Sequence, residues 1–179
     1  MKFIKNVPNY ITFIRIFAAV CLLFVEPFSA LFFFLYFMCG ISDGLDGYVA
    51  RKMDASSKFG QVLDSISDLI FITIILFILI PIINLPLWII YWIVIIAIIR
   101  LVSIILGLAK YQQLAFLHTY ANKATGLVLF FFPFLLSVFG KEVTATITCS
   151  IASISAAEEL LINLTSKTLY RDIGSIFSK

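Results

Sequence analysis

The stretch ISDGLDGYVARKMDASSKFGQVLDSISD, residues 41–68, decides how this chain is read. It carries five of the ten carboxylates of a sequence that is 62% hydrophobic and 13% charged. Four of them fall in an ordered frame: Asp43, Asp46-Gly47, Ala50-Arg51, then Gly60, Asp64 and Asp68. On a helix, Asp43, Asp46, Gly47, Ala50 and Arg51 follow i, i+3, i+4, i+7, i+8 and share a face, while Gly60, Asp64 and Asp68 line one face of the next helix. Opposing those faces gathers four carboxylates, which cannot all stay ionised at close range unless cations neutralise them. Hard oxygen ligands without His or Cys point to magnesium, manganese or calcium rather than zinc. Gly47 and Gly60 open the helix surfaces either to close packing or to a flat ligand. Arg51, one turn from Gly47, can reach a phosphate or pair with an acid. A calcium-binding EF-hand loop is excluded, because Asp43 to Gly47 lacks the Asp-x-Asp-x-Asp-Gly order and the later Glu.

Outward from this frame the sequence is membrane-like. Soluble domains are roughly 45–50% apolar and 25% charged. Spans of about 20 residues are expected at 8–25, 28–51, 59–80, 86–110, 120–139 and 143–165. All are helical, because lipid offers no partners for exposed backbone groups. Glu26-Pro27, Pro81 with Asn84-Leu85-Pro86, and Gly140-Lys141-Glu142 supply the breaks, and Pro133 should kink the fifth span. The fold class is therefore all-α and polytopic: six transmembrane helices in one domain, residues 1–179, after a short interfacial helix at Met1 to Asn6. No removed signal peptide is expected, since no Ala-x-Ala-like site follows the first apolar run. Lysines and arginines crowd one side, leaving Lys141 on the other, so both termini and the acidic frame should face the cytoplasm. Cys21, Cys39 and Cys149 sit in apolar runs and read as small buried hydrophobes.

The run Asp43-Gly44-Leu45-Asp46-Gly47-Tyr48-Val49-Ala50-Arg51 with Gly60, Asp64 and Asp68 resembles, without a gap, the signature of the CDP-alcohol phosphotransferases. Pro8-Asn9, Thr12 and Arg15 extend the likeness into the first span. The resemblance implies a bacterial membrane enzyme with six core helices that moves a phosphatidyl group from CDP-diacylglycerol to a small polar alcohol and releases CMP. It implies that Asp43, Asp46, Asp64 and Asp68 hold two Mg2+ or Mn2+ ions, with Asp68 also the general base. Asn9, Thr12, Arg15, Gly47, Ala50, Arg51 and Gly60 would bind the CDP donor. A homodimer is implied, and no nucleic-acid polymer is expected as a partner.

Other polar residues are read beside that resemblance. Arg15, within an apolar run, should face the bundle and touch the nucleotide, or else snorkel to the interface. Arg100 has no acid near it in sequence and suits an anion on the acceptor, or else partners a metal-site acid. Lys110 and Lys123 either join Arg100 in an acceptor pocket or only set orientation. If the three form one pocket, a phosphorylated acceptor such as glycerol 3-phosphate is favoured. Glycerol-phosphate members, however, usually carry Arg-Glu where this chain has Arg100-Leu101, and Gly-Lys-x-Lys-Thr where it has Asn122-Lys123-Ala124-Thr125. Serine and inositol phosphate therefore stay open as acceptors. Glu158, Glu159 and His118 receive no role, although one of the glutamates could pair with Arg100 or a lysine. A divalent-cation transporter is the alternative from another class, and it predicts acids spread through the depth of several spans.

Overall fold

The computed structural model describes residues 7–52, 58–113, 117, 119–166 and 174–175, and among them every regular element is helical. The expected interfacial helix at Met1 to Asn6 lies outside the described residues. The helices are α1 (Val7–Cys21, continued by a 3-10 turn to Phe24), α2 (Ala30–Lys52), α3 (Lys58–Ile83), α4 (Leu87–Tyr111), α5 (Tyr120–Phe130) and α6 (Phe132–Thr165). Segments Phe59–Ile83, Leu87–Tyr111 and Phe132–Thr165 are long and apolar enough to cross a bilayer, and Pro8–Phe24 and Ala30–Leu45 are shorter apolar helices. This is an integral membrane protein.

Helix ends follow local chemistry. Pro81 does not stop α3; the helix runs on to Ile83 and ends in left-handed Asn84, φ 51°. Proline in a final turn forfeits a single ladder bond, whereas a left-handed residue turns the chain away. Gln112, φ 54°, closes α4 in the same manner. The expected fifth span is broken in two: α5 ends at Phe130, Pro133 enters the first turn of α6, and Gly140 (φ 74°, ψ 173°) interrupts α6 where the fifth and sixth spans were to part. Thr119 caps α5, its hydroxyl accepting from the Asn122 N–H at 3.2 Å.

Two compact units result, Met1–Ile82 and Ile83–Lys179. In the first, α1 packs on α2 around buried Ala18, Ala19, Phe32, Tyr36 and Cys39. Tyr36 meets Phe71 of α3 with ring centroids 5.5 Å apart. In the second, Ile89 and Ile96 of α4 pack on Ala145, Cys149 and Ala156 of α6, the small side chains letting the helices approach. Here α4 and α6 run parallel. Lys141 Nζ donates to Asn84 O at 2.9 Å, Trp92 Nε1 to Ser153 Oγ at 2.9 Å, and Lys110 Nζ to Asn163 O at 2.9 Å. All three cysteines are free thiols.

Hydroxyls along α6 turn onto their own helix. Thr146, Thr148, Ser150 and Thr165 each donate to the carbonyl four residues earlier, at 2.7–2.8 Å.

Candidate functional site

α2 and α3 lie on either side of α1's Arg15. The Asp64–Asp68 spacing is one helical turn, so both carboxylates leave the same face of α3. Carboxylate oxygens of Asp43, Asp64 and Asp68 all lie within 4.8 Å of one another. Arg15, only 1% exposed, is the hub. Its Nη1 donates to Asp43 Oδ1 and lies 3.3 Å from Asp68 Oδ1, its Nη2 donates to Asp64 Oδ1, and its Nε donates to Ser67 Oγ at 2.8 Å. Cys39 Sγ donates weakly to the Arg15 carbonyl at 3.7 Å, tying the hub's backbone to α2.

The burial of this guanidinium has an electrostatic reason. An arginine cut off from water is tolerated only when carboxylates and hydrogen-bond acceptors surround it. The planar fork serves several acids at once, which a lysine ammonium would do less well. One guanidinium among three carboxylates still leaves an excess of negative charge at the solvent-accessible edge, where Asp43 and Asp68 are about half exposed. Oxygen donors of this kind, without nitrogen or sulfur, match a hard divalent cation.

Of the remaining expected residues, Asp46, Gly47, Ala50 and Arg51 continue the α2 backbone, and their side chains lie outside what is described. Gly60 sits one turn before Asp64 on α3. Asn9 and Thr12 share α1 with Arg15, and the buried Thr12 hydroxyl donates to Pro8 O at 3.0 Å. Arg15 neither snorkels nor stands apart from the acids: it is buried among them. Ser67 was not singled out in the sequence, although its place three residues after Asp64 puts it on the same face.

The second unit has its own polar cluster. Arg100 of α4 pairs with Glu159 of α6 at 3.3 Å and donates to Asn122 Oδ1 at 3.1 Å and Ser155 Oγ at 3.0 Å. Asn122 in turn donates to Glu159 Oε2 at 3.4 Å and to Leu117 O at 2.6 Å, and accepts from the Ser155 hydroxyl. Arg100's partner is thus an acid of the last helix. The i, i+4 spacing of Ser155 and Glu159 was the available signal. Lys110 and Lys123 each have contacts of their own. Lys110 donates to Asn163 O and Leu164 O, capping the end of α6, and Lys123 Nζ lies 5.7 Å from the Tyr120 ring centre. Ten residues of helix separate Arg100 from Lys110, a rise of roughly 15 Å. His118 lies outside the described residues.

Comparison with known proteins agrees with the family resemblance. Residues 5–162 match the family described as CDP-alcohol phosphatidyltransferase. A CDP-diacylglycerol–glycerol-3-phosphate 3-phosphatidyltransferase of Rickettsia bellii is 37% identical over 73 residues, 38% of this chain and 40% of that protein. A CDP-diacylglycerol–serine O-phosphatidyltransferase of Methanocaldococcus jannaschii is 37% identical over 67 residues, 37% and 31% of the two chains. A CDP-diacylglycerol–inositol 3-phosphatidyltransferase of Candida albicans is 37% identical over 65 residues, 35% and 27%. The aligned part of the chain thus spans less than half the length of each of these relatives. No solved structure matches the chain significantly.

Proposed function

The chain belongs to the CDP-alcohol phosphatidyltransferase family, and from that premise we propose that it transfers a phosphatidyl group from CDP-diacylglycerol to a small polar alcohol, releasing CMP. The observation that carries this reading is the Asp43–Asp64–Asp68 cluster, whose oxygens lie within 4.8 Å of one another around a buried arginine. Residues 1–179 would act as one membrane domain of the bacterial plasma membrane, with site and termini toward the cytoplasm, as a homodimer by analogy with the family.

Asp43, Asp46, Asp64 and Asp68 would hold two Mg2+ or Mn2+ ions, which when bound supply charge neutralisation and Lewis acidity at a diphosphate. The chain's own residues do the rest. Asn9, Thr12, Gly47, Ala50, Arg51 and Gly60 would seat the CDP head. Arg15 fixes the side chains of Asp43 and Asp64 from behind, so the carboxylates need not reorganise as charge moves. Asp68, half exposed, takes the proton of the acceptor hydroxyl as its oxygen attacks the lipid-side phosphorus. The bond from that phosphorus to the bridging oxygen breaks, and CMP leaves with the electron pair. The relatives' names span glycerol 3-phosphate, serine and inositol as acceptors, so the family alone does not choose the alcohol. Arg100, Lys110 and Lys123 were the candidates for that choice.

No observation favours the transporter. The described acids of α2 and α3 gather at one point around a fixed cation and do not line a path. The decisive experiment incubates purified protein in detergent with CDP-diacylglycerol, Mg2+ or Mn2+ and a panel of alcohols, and follows CMP release. Alcohol-dependent CMP release supports the reading. Its absence with every alcohol and both metals overturns it.

A further inference from the structure

Arg15 commits every nitrogen of its guanidinium to the first unit. Nε donates to Ser67 Oγ at 2.8 Å, and Nη1 donates to Asp43 Oδ1 and lies 3.3 Å from Asp68 Oδ1. Nη2 donates to Asp64 Oδ1 and to the Asp64 carbonyl at 3.3 Å. A guanidinium has five N–H donors, and these acceptors match them in number. Arg15 and Ser67 are buried, whereas the side chains of Asp43 and Asp68 are 49% and 44% exposed. The cation therefore lies beneath the carboxylates, with no donor spare to grip a phosphate.

We propose that Arg15, oriented by Ser67, is a built-in counter-charge of the cation site, a positioning residue that makes the second divalent ion bind only together with the donor's diphosphate. The proposal rests on the metal-dependent transferase reading and deepens it. Asp43, Asp46, Asp64 and Asp68 would bring four negative charges, which two divalent cations would neutralise without help. The buried guanidinium changes that balance. It leaves three negative charges, so one divalent cation is accommodated and a second carries the site past neutrality. Surplus positive charge in a site partly shielded from water is costly in the same way as surplus negative charge. The diphosphate of CDP-diacylglycerol carries two negative charges and removes the surplus. Arginine is not deprotonated in proteins, and a serine of α3 holds this one at Nε, so its charge is present in every state of the site. A site balanced in this way is completed only when the donor is in place.

The test counts Mn2+ bound per chain by electron paramagnetic resonance, in detergent, with and without CDP-diacylglycerol and with no acceptor alcohol. Micelles of the same lipid without the chain correct for Mn2+ held by the donor alone. Wild type should bind one Mn2+ without donor, and a second whose apparent Kd falls at least about 10-fold when donor saturates the site, the scale of one close charge. Arg15→Met keeps the length of the side chain and removes its charge. It should bind two Mn2+ without donor, the second roughly 10- to 100-fold more tightly than wild type does. Arg15→Lys keeps the charge and should keep the donor requirement. Ser67→Ala loosens the guanidinium and should shrink the donor's effect on the second ion; an unchanged effect removes Ser67 from the proposal. Melting in detergent separates a charge effect from misfolding; if Arg15→Met does not fold, the wild-type and Arg15→Lys titrations decide. Two Mn2+ bound tightly by wild type without donor, or a second site in Arg15→Met no tighter than in wild type, overturns the proposal. Alcohol-dependent CMP release by wild type would then still uphold the transferase reading. Absence of that release with every alcohol overturns the reading itself, and a chain that binds no Mn2+ with or without donor overturns the proposal outright.

Discussion

Replacing Arg15 with alanine tests the centre of the first unit. The substitution removes the guanidinium that bridges Asp43, Asp64 and Asp68, and strips Ser67 Oγ of its donor. At an effective dielectric of about 20, two carboxylates 4.8 Å apart repel by about 3.5 kcal/mol. Breaking a buried ion pair by deleting one partner costs about 3–5 kcal/mol. Asp43 and Asp68 are half exposed, so water screens part of this, and a net loss of about 3 kcal/mol is expected. For a chain of this size that is a fall of roughly 6–12 °C in melting temperature. The assay is thermal unfolding in detergent at fixed ionic strength, with Mg2+ titrated against K+. Divalent cations should restore more stability to Arg15→Ala than to wild type, because they replace the missing positive charge among the same oxygens. Arg15→Lys should recover only part, since a single ammonium cannot match the fork. An Arg15→Ala protein that melts with wild type and gains nothing extra from Mg2+ would refute the electrostatic account of the cluster.

Further outcomes follow from the same structure. Asp68→Asn should lower CMP release by at least about 100-fold while preserving CDP-diacylglycerol binding by isothermal titration; substantial residual turnover would remove Asp68 as the base. Removing divalent metal with EDTA should abolish CMP release, and Mg2+ or Mn2+ should restore it, whereas metal-independent release would dissociate the acid cluster from the reaction. Gly140→Ala meets no neighbouring atom, so its cost is that of forcing a side chain into φ 74°, ψ 173°, about 1–3 kcal/mol, read as a lower melting temperature. Lys110→Met keeps the apolar stem but loses the donor to Asn163 O and Leu164 O. Hydrogen exchange at the end of α6 should rise, with a loss of about 1 kcal/mol in local stability.

The acid frame was readable because its spacing is helical within each segment: Asp64 and Asp68 needed only one face of one helix to be right. The breaks near residues 27, 84 and 140 were readable from turn chemistry. What escaped were partnerships between distant segments. Arg15 and Ser67 lie 52 residues apart, and although a pairing of Arg100 with one of the two adjacent glutamates was open, nothing chose Glu159, 59 residues away: no local periodicity encodes which face of α1 or α6 turns toward which helix. Pro81 misled for a different reason. A proline predicts a boundary, but at the end of a helix its missing N–H costs one bond and the left-handed residue three positions later does the stopping.

The self-directed hydroxyls of α6 bear on how that helix enters a bilayer. Each threonine or serine that spends its proton on the carbonyl one turn back presents lipid with its methyl or methylene side and little free polarity. Residue-by-residue hydropathy therefore undervalues this segment, and its insertion by the translocation machinery should resemble that of a more aliphatic sequence. Swapping those hydroxyl residues for asparagine, which keeps polarity but cannot fold it away as compactly, would impair membrane integration far more than swapping them for valine.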